Sequence, residues 1–161
     1  MLENYLQYLR EIKPRKVVLS FAEDIGTLNE ISGCIKNLLP HVEIIPKIET
    51  QTGVDNCKNI MESFKTIMLG RGDLALFSEI SSFGYNQNYV LDMGEKNNAN
   101  VIVATDILTS LYENMIPARG DLTDIYYLKG KKVKDIVVSA GISIQPELFG
   151  RFCNLVEDDF K

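Results

Sequence analysis

The segments EIIPKIE (residues 43–49) and TIMLGRGDL (residues 66–74) decide the fold that the sequence predicts. Each segment begins with an apolar run typical of a buried parallel strand and becomes charged at its carboxyl end. Residues 52–64 between them have the length of one amphipathic helix. A strand, a helix and a second strand in this order form a βαβ unit, so the two strands lie side by side and their carboxyl ends meet.

Charged side chains occur where these two strands end. Side chains alternate along a strand, so Lys47 and Glu49 lie on the same face. Neighbouring strands are about 4.8 Å apart, which brings the carboxylates of Glu49 and Asp73 close enough to share one cation. Mg²⁺ prefers such oxygen ligands, and Lys47 beside it would stabilise an oxyanion. The pattern is also consistent with two solvated carboxylates that have Lys47 as a salt-bridge partner.

The rest of the chain continues the alternation of strands and helices. Strands are predicted at residues 16–21, 100–105 and 135–139, and helices at residues 2–12, 26–39, 87–97 and 146–156, with a loose loop around Gly84. These elements make about five parallel βα units, which predicts an α/β fold with a parallel sheet, whereas a closed TIM (β/α)₈ barrel needs eight such units. An open sheet has unpaired edges and an exposed inner face, so we expect a homo-oligomer or a partner that covers them.

The composition excludes several classes of protein. With 161 residues, 45% of them hydrophobic and 24% charged, the chain has the character of one globular domain spanning residues 1–161. Its net charge of −5 argues against nucleic acid as a partner. No apolar run approaches the roughly 20 residues of a membrane helix. Three scattered cysteines and the absence of a signal peptide indicate a cytoplasmic protein. The basic run at residues 129–134 is interpreted as a solvated loop, with phosphate binding as the alternative.

Several motifs at the predicted strand ends resemble one enzyme family. Lys47-Ile48-Glu49, followed by an apolar strand ending in Arg71-Gly72-Asp73-Leu74, closely resembles the catalytic barrel of pyruvate kinase. The resemblance continues through Ser20-Phe21, the Ala-Thr-x-x-Leu-x-Ser pattern that begins at Ala104, the Pro-x-Arg segment at residues 117–119, and Asp124. It covers nearly the whole chain and matches the later five strands of the family's barrel. The first three strands, the lid domain and the regulatory C-terminal domain are not matched.

The resemblance implies a role for each matching residue. Lys47 would be the catalytic lysine, Thr105 would serve protonation of the enolate, and Glu49 and Asp73 would bind Mg²⁺ or Mn²⁺. The residues implied to contact a phosphoenolpyruvate-like or pyruvate-like substrate are Arg71, Gly72, Asp73 and Thr105. The family also uses K⁺, but the residues that bind it lie on strands that this chain does not match.

The sequence also departs from the family's pattern. Asp106 stands where glutamine is usual, Ala75 where glycine is usual and Phe77 where glutamate is usual, and residues 139–142 differ from the usual Ser-Gly-Glu-Thr. Residues that hold phosphate belong to the unmatched strands. We therefore expect impaired handling of nucleotide and phosphate, and a largely intact metal and enolpyruvate end.

Three functions are compatible with these residues. The first is pyruvate kinase-type transfer of a phosphoryl group between phosphoenolpyruvate and ADP, favoured by Lys47, Arg71 and the Ala104-Thr105 pair. The second is a metal-dependent aldolase or lyase that acts on a pyruvate enolate, which Ile48-Glu49-Thr50 also fits. The third is a non-catalytic protein that retains the fold for binding or assembly.

Overall fold

The computed structural model of the protein describes residues 2–158. Within that range, one parallel sheet contains five strands in the order β1-β2-β3-β4-β5. The strands are β1 (Lys16–Leu19), β2 (Glu43–Ile48), β3 (Thr66–Gly70), β4 (Asn100–Ala104) and β5 (Asp135–Val137). Sequential order of parallel strands is what successive βα units produce, and it confirms the predicted α/β fold with a partial barrel sheet.

Helices connect the strands. They are α1 (Leu2–Ile12), α2 (Ile25–Leu38), α3 (Gln51–Ser63), α4 (Arg71–Leu76), α5 (Phe83–Lys96), α6 (Thr109–Asn114), α7 (Arg119–Gly130), α8 (Ala140–Ser143) and α9 (Pro146–Asp158), with a 3₁₀ turn at Ile80–Ser82. Two of the helices begin at side-chain caps: Asp24 accepts a hydrogen bond from the Thr27 amide (2.7 Å) and Thr50 accepts one from the Gly53 amide (3.1 Å). None of the helices in the described range is long and apolar enough to span a bilayer.

The core lies between the sheet and the helices. Alternate residues of each strand point to the helices, and Ile44, Ile67 and Val101 all belong to one buried cluster of apolar side chains. Ile60 of α3 and Leu128 of α7 are buried in the same cluster. The apolar face of the sheet and the apolar faces of the helices therefore pack against each other on one side of the sheet.

The opposite face of the sheet is covered in its middle and open at its sides. Strand pairing places Val18 beside Ile45 and Ala104 beside Val137. Ile45 is 2% exposed and Ala104 5%, whereas Val18 on the first strand is 41% exposed and Val137 on the last is 40% exposed. The apolar side chains of this face that are most exposed are thus those of the two edge strands, which have a neighbour on one side only.

Several boundaries differ from the sequence-based expectation. Strand β1 ends at Leu19 instead of residue 21, because Phe21 adopts a left-handed conformation with φ of 53° that a strand does not continue through. Strand β5 ends at Val137, two residues early. The expected loose loop around Gly84 is wrong, since α5 already begins at Phe83. The polar residues there are not solvated: Asn86 is 1% exposed and donates to the Gln51 side chain at 2.8 Å.

We expect Gly94→Ala to lower the free energy of unfolding by about 1–3 kcal/mol, the usual range for overpacking. A Cβ on Gly94 of α5 would overlap the Val101 side chain and lie 3.3 Å from the Ala99 carbonyl oxygen. Gly84→Ala in the same helix is the matched control, because nothing lies within 4 Å of its Cβ position. There the higher helix propensity of alanine should leave stability equal or slightly raised. Urea unfolding measures both, and equal effects would contradict the packing argument.

Candidate functional site

The carboxyl ends of three strands lie side by side at one end of the sheet. Lys47 is the penultimate residue of β2 and Glu49 follows its last residue. Asp73 lies in the first turn of α4, which starts directly after β3, and Thr105 follows β4. Because these strands are adjacent and parallel, all four residues lie at the same end of the sheet, where the strands have their carboxyl ends.

Lys47 joins the two carboxylates. Its ammonium donates a hydrogen bond to Oε1 of Glu49 and lies 4.0 Å from Oδ2 of Asp73. The second oxygen of Glu49, Oε2, accepts a hydrogen bond from the Phe21 amide at 3.0 Å. Glu49 is only 1% exposed, so these two donors compensate for the loss of water around its charge. Asp73 is different, with 43% of its side chain exposed.

Two glycines make the close approach of these groups sterically feasible. A Cβ on Gly70, the last residue of β3, would lie 2.7 Å from Cε of Lys47 and 2.8 Å from Cγ of Glu49. A Cβ on Gly72 would lie 2.8 Å from Cγ2 of Thr105. Real side chains do not tolerate such distances, so glycine is required for the site to be this compact. Gly70 was recognised as part of the motif that ends at Leu74, but its steric role was not predicted from the sequence.

Thr105 and Asp106 have an unusual backbone conformation. Their φ angles are 76° and 55°, in the left-handed region, which is uncommon for residues other than glycine and especially for a β-branched threonine. The carbonyl oxygens of both residues accept hydrogen bonds from the Arg71 side chain. The chain therefore leaves β4 through a turn whose carbonyl groups are held by another element.

The Arg71 side chain, predicted from the resemblance to contact the substrate, is buried among other groups of the protein. It is 7% exposed. Its Nε and Nη2 donate to the Thr105 carbonyl at 3.0 and 2.7 Å, and Nη2 also reaches the Asp106 carbonyl at 3.0 Å. Its Nη1 pairs with Oδ2 of Asp124 at 2.6 Å and contacts Oε1 of Gln87 at 3.5 Å. The guanidinium is thus engaged on every side by the protein itself. Gln87 was missed in the sequence because its partner is distant along the chain.

An apolar rim borders the site. We use this term for Phe21, whose amide donates to Glu49, and for Phe77, which are 50% and 54% exposed. The rings of Phe21 and Phe77 meet edge to face with centroids 5.5 Å apart. Phe77 stands where the resemblance leads one to expect glutamate, so this side of the site is apolar instead of acidic.

The carboxylates at this site supply some of the ligands that a hard divalent cation requires, but not all of them. Carboxylates such as those of Glu49 and Asp73 are the ligands that Mg²⁺ and Mn²⁺ prefer. Among residues 2–158, no group of three or more His, Cys, Asp and Glu residues is arranged to hold a metal ion. The two carboxylates would therefore need water or substrate oxygens to complete the coordination shell, which is usual for Mg²⁺.

The basic run lies at the opposite end of the sheet. Lys131 pairs with Asp92 at 2.8 Å and Lys132 with Glu95 at 2.6 Å, beside a cleft of about 430 Å³ at the amino ends of β4 and β5. These hydrogen bonds hold the pKa of Asp92 and of Glu95 below their usual values. Lys131 and Lys132 follow the end of α7 and pair with carboxylates at the surface, which agrees with the interpretation as a solvated loop, although Lys129 and Gly130 still belong to the helix.

We expect Lys47→Met to destabilise the protein by about 3–5 kcal/mol, because the buried carboxylate of Glu49 loses its countercharge. Lys16→Met is the matched control: Lys16 pairs with Glu43 at 3.3 Å, but both side chains are at least 40% exposed. Such surface pairs contribute less than about 1 kcal/mol. The double variant Lys47→Met/Glu49→Gln should recover part of the loss. Chemical unfolding at pH 7 measures all three, and equal losses for Lys47→Met and Lys16→Met would contradict the buried pair.

Comparison with known proteins relates this site to a family. The model of the barrel domain of pyruvate kinase matches residues 7–131. The pyruvate kinase of Methanocaldococcus jannaschii is 32% identical over 109 residues, covering 68% of this chain and 24% of that protein. That of Mycoplasma pneumoniae is 37% identical over 87 residues, 54% of this chain and 17% of that protein. That of Thermoplasma acidophilum is 35% identical over 82 residues, 51% of this chain and 15% of that protein.

The family-model match includes the strand ends that carry Lys47, Glu49, Asp73 and Thr105. The chain spans about a quarter or less of the length of these relatives. The family model covers well over half of the chain, and it confirms the resemblance found in the motifs. The chain therefore belongs to the pyruvate kinase family, and the part of the family that it matches is the barrel domain.

Proposed function

We propose that this chain binds an enolpyruvate-type substrate next to a divalent cation and takes part in phosphoryl transfer between phosphoenolpyruvate and ADP. The observation that carries the proposal is the contact of one ammonium, that of Lys47, with carboxylates from two strand ends. Family membership supports it. Phosphoryl transfer requires positive charge near several anionic oxygens, and this arrangement offers a lysine and two metal-ligating carboxylates together.

Each residue has a distinct task in this proposal. Glu49 and Asp73 would hold Mg²⁺ or Mn²⁺, which when bound neutralises the charge of substrate oxygens. The ammonium of Lys47 stabilises negative charge that develops on the transferred group. The hydroxyl of Thr105 would relay a proton from water to the enolate carbon as pyruvate forms, so that the hydroxyl is regenerated and hydroxide is the other product. The amides of Gly72 and Asp73, in the first turn of α4 where helical N–H groups lack intrahelical partners, hold the substrate carboxylate.

Arg71 contributes indirectly. Its guanidinium is buried and bonded to Thr105, Asp106 and Asp124, so in this proposal it does not touch the substrate. K⁺ and the phosphate-holding groups of the family have no residues assigned to them in this chain. We therefore propose little or no phosphoryl transfer by the isolated chain, because this reaction depends on positioning every charged group.

No observation favours the aldolase or lyase alternative. The threonine of its Ile48-Glu49-Thr50 motif is used in the fold: Thr50 caps α3 and donates a hydrogen bond to Glu23 at 2.6 Å. A non-catalytic role in binding or assembly differs from the proposal only in the absence of turnover, so it is an outcome of the test.

We expect calorimetric titration to detect Mg²⁺ or Mn²⁺ binding to the unaltered chain and to lose it in Asp73→Ala. Asp73 is 43% exposed, so its removal should not unfold the protein. Asp92→Ala, which removes a carboxylate near the other end of the sheet, is the matched control and should bind normally. A coupled pyruvate assay should give turnover well below about 10 s⁻¹, a median enzyme value. Equal binding by the unaltered chain and Asp73→Ala would reject the metal assignment. Binding without phosphoryl or aldol turnover would favour the non-catalytic role.

We also propose that the chain associates with itself through its edge strands. Strands β1 and β5 each lack a neighbour on one side, and Val18 and Val137 are 41% and 40% exposed there. Unpaired edges that carry apolar side chains favour pairing with another strand.

We expect light scattering on a sizing column to show a dimer or larger assembly at micromolar concentration, and Val18→Lys to shift it towards monomer. Tyr126→Lys on α7 is the matched control, because Tyr126 is 73% exposed but lies away from the sheet. A monodisperse species of 18.2 kDa for the unaltered chain would contradict the proposal.

A further inference from the structure

We propose that Arg71 and Asp124 are positioning residues that fix the Thr105–Asp106 turn and thereby set Thr105 relative to Asp73. This inference rests on the proposed function, because it assigns to Thr105 a task at the site. It goes beyond that function by assigning a role to an ion pair whose members do not face the substrate.

The turn needs an external restraint. With φ of 76° and 55°, Thr105 and Asp106 both adopt a conformation that is uncommon for residues other than glycine, and such conformations persist where surrounding contacts determine them. Thr105 in particular is β-branched, which makes its positive φ a genuine outlier. A turn of this kind relaxes to other backbone conformations unless its peptide groups are held.

Arg71 supplies that restraint. One planar guanidinium binds two successive carbonyl oxygens, that of Thr105 through Nε and Nη2 and that of Asp106 through Nη2, at 2.7–3.0 Å. Bonds to successive carbonyls define the orientation of both peptide planes. A lysine has a single charged nitrogen on a flexible stem and does not reproduce this planar, two-sided contact.

Asp124 holds Arg71 in place. Its Oδ2 accepts from Nη1 at 2.6 Å, and this carboxylate is itself 24% exposed while the arginine side chain is 8% exposed. A buried guanidinium requires a countercharge, and Asp124 of α7 provides one from outside the strand ends. Gln87 of α5 contacts the same nitrogen at 3.5 Å, so three elements converge on Arg71.

The location of Arg71 in the chain links the restraint to the site. Arg71 is two residues before Asp73, in the first turn of α4, and Gly72 between them lies against Thr105. The same short segment therefore presents Asp73 towards Lys47 and holds the turn that carries Thr105. Moving Arg71 would shift the metal-ligand candidate and the proton-donor candidate together.

The test is amide hydrogen exchange in Asp124→Asn and Arg71→Lys, with Asp92→Asn as the matched control. Asp92→Asn also removes the charge of an ion-paired aspartate, that of the Lys131 pair, but away from the turn. We expect exchange in residues 105–111, which include the buried Ile107 and Leu108 and the Leu111 amide that donates to the Leu108 carbonyl, to accelerate by about tenfold or more in both test variants, while the strands β2 and β3 keep their protection. The control should exchange like the unaltered chain in this turn.

The conservative variant separates positioning from simple charge balance. If Arg71 only balanced the charge of Asp124, Arg71→Lys would retain the ion pair and keep the protection of the turn. Retained protection in Arg71→Lys, or acceleration spread uniformly over the sheet, would overturn the proposal. Should Asp124→Asn fail to fold, the Arg71→Lys result decides alone.

A binding measurement on the same proteins keeps the two proposals apart. We titrate Mn²⁺ with oxalate, a small dicarboxylate that resembles enolpyruvate, into each variant. If the unaltered chain binds, both test variants should bind at least about tenfold more weakly, with the control unchanged. If the unaltered chain does not bind, the proposed function fails, and hydrogen exchange still decides whether Arg71 and Asp124 hold the turn.

Discussion

The pairing of Lys47 with Glu49 is the interaction on which the arrangement of the site depends. Glu49 is almost completely buried, and a buried carboxylate requires donors on both oxygens. One donor comes from the same strand and the other, the Phe21 amide, from the neighbouring strand end. The ends of β1 and β2 are therefore aligned by the need to compensate one charge. Asp73 then joins from β3 by facing the same ammonium.

Two of the strands are followed by a residue in the left-handed backbone conformation. Phe21 after β1 and Thr105 after β4 both have positive φ, and each directs a backbone group to a charged side chain. The Phe21 amide donates to Glu49, and the Thr105 carbonyl accepts from Arg71. The chain thus leaves the sheet abruptly at the points where polar backbone groups are needed for the site. Strain of this kind is common at functional sites and is stabilised by the surrounding contacts.

The sheet of this chain has the strand order and direction of part of a (β/α)₈ barrel. Its sheet has five adjacent parallel strands, and membership of the pyruvate kinase family places them in the family's barrel. The carboxyl ends of the strands carry charged residues, as in barrel enzymes generally, whereas the amino ends carry ion pairs and a cleft. The apolar rim around Phe21 and Phe77 is the feature that least resembles a phosphate-handling surface.

Much of this was predictable from the sequence because it depends on local patterns. The strand and helix periods, and the shared face of Lys47 and Glu49, follow from alternation along the chain. The motif at residues 47–49 and that at 71–74 also identified the family. The end of β1 before Phe21 and the start of α5 at Phe83 were not predictable, because both depend on partners that are distant in the chain. Phe21 is held in a left-handed conformation by the bond from its amide to Glu49, and the first turns of α5 bury Asn86, which bonds to Gln51.

Only the tertiary structure determined which groups each charged side chain of the site contacts. Substrate contact by Arg71 was implied by the resemblance and stays a prediction, whereas folding places its side chain against Asp124, 53 residues away in sequence, and the carbonyls of the Thr105 turn. Gly70 became important only when Lys47 and Glu49 were seen to occupy the space of its missing side chain. Spacing along a chain determines which face a residue is on, whereas contacts between distant segments determine what it binds.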